Sequence, residues 1–414
     1  MAEIYDVVII GGGASGLCCA NVIKMHDRSI SVCVLEQLPR VGKKLITTGN
    51  GRCNITNRKA EPSRYHGENA GFCRFVLKNY DNFVSEVFFN ELGIVFTYDP
   101  EGRAYPYSLQ ASSVVDALRF SAEEKGVKIF TDTEVTGIKK GDGSYKITAG
   151  DNVYKTDNLV VAAGLFSGGE KLGSTGSILK ILENMGYKTV KTTPAIVQVK
   201  TDNTVTRSLK GIKTEAKASL IIGNETVREE KGEVLFCDYG LSGPPVMQIS
   251  REISRRDGEK RIELDLMPEY PFEKVCDMIR YRTAVLKNRS MEEFFTGLLN
   301  KRIGQTVVKL SGLKLSDTSE ILTFEDIKKM ALNIKKMPFS VTGTTGFVNS
   351  QVTAGGLDTS QFDDETMMSE KDKGLYCIGE ILDIDGDCGG FNLQWAWGSA
   401  MCAADSICDG LVEE

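Results

Sequence analysis

The 414-residue sequence has only two histidines, His26 and His66. That leaves little room for histidine-based acid–base chemistry. His26 falls at the end of a predicted helix and reads as a solvated C-terminal residue. No cluster of cysteine, histidine and acid has zinc-ligand spacing, so no metal site is expected. No apolar run reaches the roughly 18 residues needed to cross a bilayer, so no membrane partner is expected. Basic charge is not in excess: 50 Lys+Arg stand against 56 Asp+Glu, a net charge of -6, which speaks against a nucleic-acid surface. The N-terminus has neither a basic n-region nor a cleavage site, so a signal peptide is not expected. Internal repeats and low-complexity segments are missing. The 11 cysteines are odd in number and irregularly spaced. They therefore read as reduced, mostly buried thiols, and the expected compartment is cytoplasmic.

What is present is the composition of an ordinary globular protein, 41% hydrophobic and 26% charged, in a chain long enough for roughly two or three domains. The first turn organises it. Ile4 to Ile10 is short, apolar and β-branched, which predicts a buried strand. Gly11, Gly13 and Gly16 follow in G-x-G-x-x-G spacing. Gly11 serves the tight turn, Gly13 admits a pyrophosphate to the backbone, and Gly16 lets helix and strand pack closely. A helix from about Ala14 to Met25 points its positive end at the phosphates. A second strand, Ile30 to Leu35, ends at Glu36, placed to accept hydrogen bonds from an adenosine ribose. A glycine turn of another α/β domain, such as a methyltransferase, is the plainer reading.

Further along, Gly42-Lys43-Lys44 lacks the frame of a phosphate loop, because Gln37 and Leu45 hold the places of its glycine and Ser/Thr. Thr48-Gly49-Asn50-Gly51-Arg52-Cys53-Asn54 is too polar for the core and reads as a loop facing a ligand, or as a plain surface turn. Residues 70–93 read as helical with Phe72, Phe75, Val76, Phe83, Val84 and Val87 on a core stripe. A helix is expected over 112–125, with strands over 127–130, 134–139, 145–149 and 153–155. The strand ending at Ala162-Ala163-Gly164 closes on small residues that admit a ligand. Alternating strands over about 194–266 suggest an antiparallel barrel or sandwich, and about 271–337 reads as helical and charged. Ser242, before Gly243-Pro244, is expected to cap a helix running to about Arg255. The chain returns with a buried strand through Gly374–Glu380 and a glycine-opened helix from about Asn392 to Cys408. Asp383, Asp385 and Asp387 do not make a calcium loop, because Gln394 stands where the bidentate acid belongs.

Taken in order, the G-x-G-x-x-G turn, the 48–54 loop, Gly240-Leu241-Ser242-Gly243-Pro244 and Asp385-Gly386-Asp387-Cys388-Gly389-Gly390-Phe391-Asn392-Leu393-Gln394 resemble the BaiN/YhiN-like flavoproteins, NAD(P)/FAD-dependent oxidoreductases, over residues 3–409. The resemblance implies an α/β fold: a Rossmann-like FAD-binding domain of the two-dinucleotide-binding-domain type with inserted β-barrel and small helical domains. The expected division is 1–194 with 341–414 for FAD, 195–270 for the barrel and 271–340 for the helices. By resemblance, FAD lies against Gly11, Gly13, Ser15, Gly16, Glu36, Lys44, Asn50, Gly51, Val135, Ala163, Gly164, Asp383, Asn392 and Leu393. Their neighbours Ala14, Gln37, Gly49, Gly379 and Phe391 complete the candidate set. Some members of the family are described as reductases of conjugated 3-oxo steroids, others as aminoacetone oxidases.

The expected activity is hydride transfer between NAD(P)H and a small organic substrate through the flavin, of the enone or steroid reductase kind. No second G-x-G-x-x-G appears, so NAD(P)H would be a transient donor. An amine oxidase using dioxygen and a non-catalytic flavin-binding protein are the alternatives. Tyr239 and Asp238 are candidates for a catalytic acid, and Arg52 for an anionic substrate group. Their plainer roles are core packing, turn polarity and solvation. Cys53 has no second cysteine nearby in sequence, so it is assigned to packing rather than to a dithiol cycle. The inserted modules are expected to cover the flavin face.

Overall fold

The computed structural model describes residues 2–141 and 143–412. The chain forms two compact units, 1–194 with 347–414, and 195–346. Each has its own apolar core.

The first unit is built on β1 (Val7–Ile10), whose residues are all buried. A β-branched run covered on both faces belongs in the middle of a parallel sheet. After it come α1 (Ala14–His26), β2 (Val32–Leu35), α2 (Ala111–Glu124), β3 (Lys128–Phe130) and β4 (Asn158–Val161). A smaller sheet is made of strands 137–140, 145–149 and 152–156, which lie between β3 and β4 in the chain, with strand 3–4 from before β1.

In the second unit, β5 (Val199–Thr201), β6 (Lys213–Ile222), β7 (Glu225–Phe236), β8 (Gly240–Ser242), α3 (Pro244–Arg255) and β9 (Lys260–Asp265) precede α4 (Phe272–Val285), α5 (Lys301–Leu310) and α6 (Phe324–Lys335). β10 (Met337–Thr344) then pairs with both β9 and β5 and closes a barrel in the order β5-β8-β7-β6-β9-β10. β10 runs across the 340/341 boundary expected from the sequence. The helices α4 to α6 are thus an excursion between two barrel strands. α6 starts on a capping box, Thr323 with Asp326, which satisfies two orphan backbone donors.

The chain returns to the first unit through β11 (Leu375–Cys377) and ends in α7 (Phe391–Val412). The parallel sheet is five-stranded, β11-β4-β1-β2-β3. α7 packs along α1. It is buried on most sides: the small Ser399, Ala400, Ala403 and Ala404 are covered along with the large Trp395 and Trp397. No helix among the described residues is long and apolar enough to cross a membrane.

Three local expectations are corrected. The 70–93 helix is broken into 70–73, 74–79 and 82–91. Asp81 accepts a hydrogen bond from Val84 N and starts a new helix, which resets the phase. Phe72 and Val76 stay in the core, but Phe83 is 66% exposed and Val87 also faces out. Ser242 does not cap α3; the N-cap is Gly243, with no side-chain cap bond. The strand expected over 134–139 is found at 137–140.

Candidate functional site

The first turn assigns each glycine a separate job. Gly11 takes φ +106, and a Cβ there would lie 2.6 Å from Ala162 O. A Cβ on Gly16 would lie 2.0 Å from Gly11 O and 3.3 Å from Ala162 Cβ, so only hydrogen lets α1 sit on β1 and β4. At Gly13 a Cβ would meet nothing within 4 Å: the backbone faces open space at the N-terminus of α1. Glu36 is buried, and burial pushes its carboxyl pKa up. Two amides oppose that shift. Gly12 N donates to one oxygen at 2.9 Å and Leu38 N to the other at 2.8 Å. Each oxygen keeps acceptor capacity.

The Lys43–Thr47 helix brings Lys44 to a polar knot. Lys44 Nζ pairs with Glu380 and reaches Ser167 Oγ at 2.6 Å. Glu380 also accepts from Ser167 Oγ and from Thr353 N. Ser167, Thr353 and Glu380 were absent from the sequence-derived set, because only the fold brings these separate segments together. Gln37 donates to Gly173 O. Gly379, at φ +73, ends β11 against α1: its Cβ would lie 2.7 Å from Ser15 Oγ. Gly164, at φ +64 beside Ala163, opens on free space, while Val135 is buried.

The 48–54 loop is wound left-handed, with positive φ at Gly49, Asn50, Gly51 and Cys53. It is held by the last helix. Trp397 Nε1 donates to Ile55 O at 2.8 Å, and Asn57 Nδ2 to Gly389 O at 2.7 Å. The buried Gln394 amide donates to Tyr80 O and accepts from Thr56 Oγ1. Trp395 Nε1 donates to Gly379 O at 3.1 Å. One helix therefore fixes both the loop and the end of β11. Asn392 is spent on its own turn, accepting from Gly386 N and donating to Gly386 O, each at 2.8 Å. Tyr65 OH holds Phe391 O at 3.0 Å. Leu393 packs partly buried against the core. Asp383 is buried and accepts from Glu68 N, and no metal-binding group is found among the described residues.

The catalytic candidates separate chemically. Arg52 is exposed, with its guanidinium 4.9 Å from the Tyr105 ring centre. Asp238 sits on the turn before β8. Its hydrogen-bonded ion pair with Lys210, at 2.6 Å, holds its carboxyl below the usual range. Burial raises the pKa of Tyr239 well above the ordinary phenol value. Cys53 is fully buried and its thiol is pushed up to about 12. No disulfide is found among the described residues, and all the cysteines but Cys237 and Cys388 are buried.

These residues fit an FAD dinucleotide: the open space at Gly13 and Gly164, the acid at Glu36 and the glycine-opened N-terminus of α7 are the features such a ligand needs. The family model described as HI0933-like protein Rossmann domain matches residues 5–406.

The chain belongs to this family. It is 34% identical over 398 residues, 95% of this chain and 97% of the relative, to the 3-dehydro-bile acid delta(4,6)-reductase of Clostridium scindens, in keeping with the resemblance read from its motifs. It is 29% identical, over 98% of each chain, to the ribosomal RNA dihydrouridine synthase of Escherichia coli. Among solved structures it has the fold of the 3-ketosteroid-delta4-(5alpha)-dehydrogenase from Rhodococcus jostii RHA1, with a TM-score of 0.52, 15% identity and coverage of 98% of this chain and 97% of that one. The protein is an FAD-dependent oxidoreductase of Rossmann type.

Proposed function

We propose that the protein reduces carbon–carbon double bonds conjugated to a carbonyl in a small, apolar, steroid-like substrate, with NADH or NADPH as the electron source. The observation that carries this reading is the 34% identity along 95% of the chain to a reductase named for a 3-dehydro bile acid and its delta(4,6) unsaturation. The name dihydrouridine synthase describes the same elementary change, hydrogen added across a double bond conjugated with a carbonyl, on an RNA base. RNA as the substrate is the second reading. The net charge of -6 weighs against it, because polyanion binding draws on Lys and Arg in excess.

Bound FAD supplies hydride transfer. This chain's residues bind and orient it. The α1 amides after Gly11, at Gly13, Ala14, Ser15 and Gly16, take the pyrophosphate, and Glu36 takes ribose hydroxyls with its remaining lone pairs. The left-handed turn at Gly49-Asn50-Gly51 and the first turn of α7, Phe391-Asn392-Leu393, take the ring. The positive end of α7 favours an electron-rich ring oxygen. Lys44 acts through its Glu380 and Ser167 partners, holding the 167 and 353 segments to the end of β11. Reduction also needs a proton. Tyr239 keeps its proton at neutral pH and Asp238 does not. Arg52 remains free to meet an anionic substrate group. The free, buried thiols support a reducing, cytosolic setting.

The test is anaerobic NADH and NADPH consumption with conjugated and saturated 3-oxo steroids. The proposal expects consumption with the conjugated set alone, and a product that gains a hydrogen pair by mass spectrometry. Inactivity with every conjugated steroid, together with reduction of uridine in ribosomal RNA fragments, would transfer the assignment to the second reading.

A further inference from the structure

Three buried aspartates, Asp383, Asp385 and Asp387, come shortly before the first turn of α7. A short antiparallel pair of strands, 65–66 with 385–386, lays Arg64-Tyr65-His66 along them, with His66 opposite Asp385. His66 Nε2 bonds Asp387 Oδ1 at 2.8 Å, and Arg64 Nη1 stands 3.5 Å from Asp387 Oδ2. The arginine side chain is 43% exposed and the carboxylate 7%, so water screens the Arg64 pair. The protonation state of His66 therefore decides how far the Asp387 charge is cancelled. Asp387 is also tied to α7, because its backbone O accepts from Asn392 Nδ2 at 3.3 Å. Its charge is felt at Tyr65, whose OH donates to Phe391 O: burial first, then Cys73 and Asp387, raise the pKa of that phenol. A carboxylate here opposes the positive end of the helix, equivalent to about half a unit charge.

An imidazole is the side chain that changes charge near neutral pH. Around it stand Arg64, Tyr65 and Glu68 on its own segment, and Asp383, Asp385, Asp387 and Cys388 on the facing one, with Arg103 beyond Cys388. Cys73 lies on the 70–73 turn packed against the 65–66 strand. Burial pushes the Tyr65 phenol and both thiols up, Cys73 to about 12, so these three keep their protons.

We propose that His66 is a positioning residue that acts through Asp387 to tune the reduction potential of the flavin. Protonated, it cancels the buried carboxylate and leaves α7 its positive end, which favours the negatively charged reduced ring. Neutral, it leaves Asp387 to offset that end and disfavours reduction. The proposal rests on the FAD reading of the site and requires no contact between His66 and the ring.

The experiment equilibrates full-length holoprotein with redox dyes and measures the flavin midpoint potential across pH for wild type, His66→Gln and His66→Lys. At low pH, the ratio of reduced to oxidised flavin at a fixed solution potential is expected to be about tenfold higher in wild type than in His66→Gln, the scale of a charge at a partly buried helix end. The two should converge as pH rises and the imidazole loses its proton. His66→Lys, a permanent cation, should stay above His66→Gln at every pH. It also carries the comparison with wild type if the glutamine variant does not fold. Parallel curves for wild type and His66→Gln, or a lysine variant that titrates as wild type does, overturn the role of His66 while leaving the FAD reading intact. Failure of wild type to bind FAD at all overturns both.

Discussion

Replacing Gly16 and Gly13 separately with alanine should split stability from cofactor binding. At Gly16 the new methyl would lie 2.0 Å from Gly11 O, so α1 must withdraw from β1 by about 1 Å before the contact is tolerable. Overpacking of this kind costs about 1–3 kcal/mol, and the backbone carbonyl cannot rotate away, which favours the upper end. Alanine's better helix propensity returns about 1 kcal/mol. The net, about 2 kcal/mol, corresponds to a melting temperature lowered by about 4–8 °C for a domain of this size. At Gly13 the methyl meets nothing within 4 Å and the backbone sits at an ordinary φ of -84. The deflavinated protein should keep its stability to within about 1 kcal/mol, the cost of alanine at an N-cap. Its FAD affinity should fall at least tenfold, ~1.4 kcal/mol, because the methyl fills the space left for the pyrophosphate. Thermal unfolding of the deflavinated variants and fluorescence titration with FAD measure the two effects. A Gly13→Ala protein that melts as low as Gly16→Ala and binds FAD normally would refute the assignment of the two glycines.

Cys53→Ser should keep turnover within about tenfold, ~1.4 kcal/mol of barrier, and reduction should give no long-wavelength thiolate-to-flavin band in either protein; such a band in wild type contradicts the packing role. The same variant carries a pH signature. The folded thiol holds its proton up to about 12, against an ordinary value of 9.0. The unfolded chain loses that proton first, so stability is lost as pH rises through this window. Denaturant midpoints measured from pH 9 upward should fall more steeply for wild type than for Cys53→Ser. Lys44→Met strips Glu380 of its cation while Ser167 and Thr353 stay in place, and should destabilise the protein by about 1–2 kcal/mol, because the pair is only partly buried; an unchanged urea midpoint argues against the knot. Arg52→Met should raise KM for a carboxylate-bearing steroid and leave KM for a neutral one unchanged, since nothing but loop carbonyl and ring contacts holds Arg52. Equal effects on both substrates would return Arg52 to simple solvation.

What could be read from the sequence was local. β1, the three-glycine turn, α1 and β2 announce themselves because a buried strand, fixed glycine spacing and a helix lie in one run of residues. Alternation within about 194–266, for example over 218–222 and 262–266, was visible and falls on the barrel strands β6 and β9. β10 was not, because it follows a long charged helical run and belongs to the barrel only through pairing with β9 and β5. The helix break at Asp81 was missed because its apolar residues fit one continuous period, while a single capping carboxylate reset the phase. At the site, Glu36 and the glycines follow from spacing. Ser167, Thr353 and Glu380 meet Lys44 from distant parts of the chain, which no spacing encodes.

The most direct measurement of the central claim is made on the reduced protein itself. Holoprotein reduced anaerobically is mixed in a stopped-flow instrument with a conjugated 3-oxo steroid, or with dioxygen in a parallel run, and the flavin absorbance is followed. A reductase of conjugated double bonds regains oxidised-flavin absorbance with the steroid, stoichiometrically with saturated product. Flavin that stays reduced with the steroid but recovers rapidly with dioxygen, releasing peroxide, would make the protein an oxidase and contradict the account.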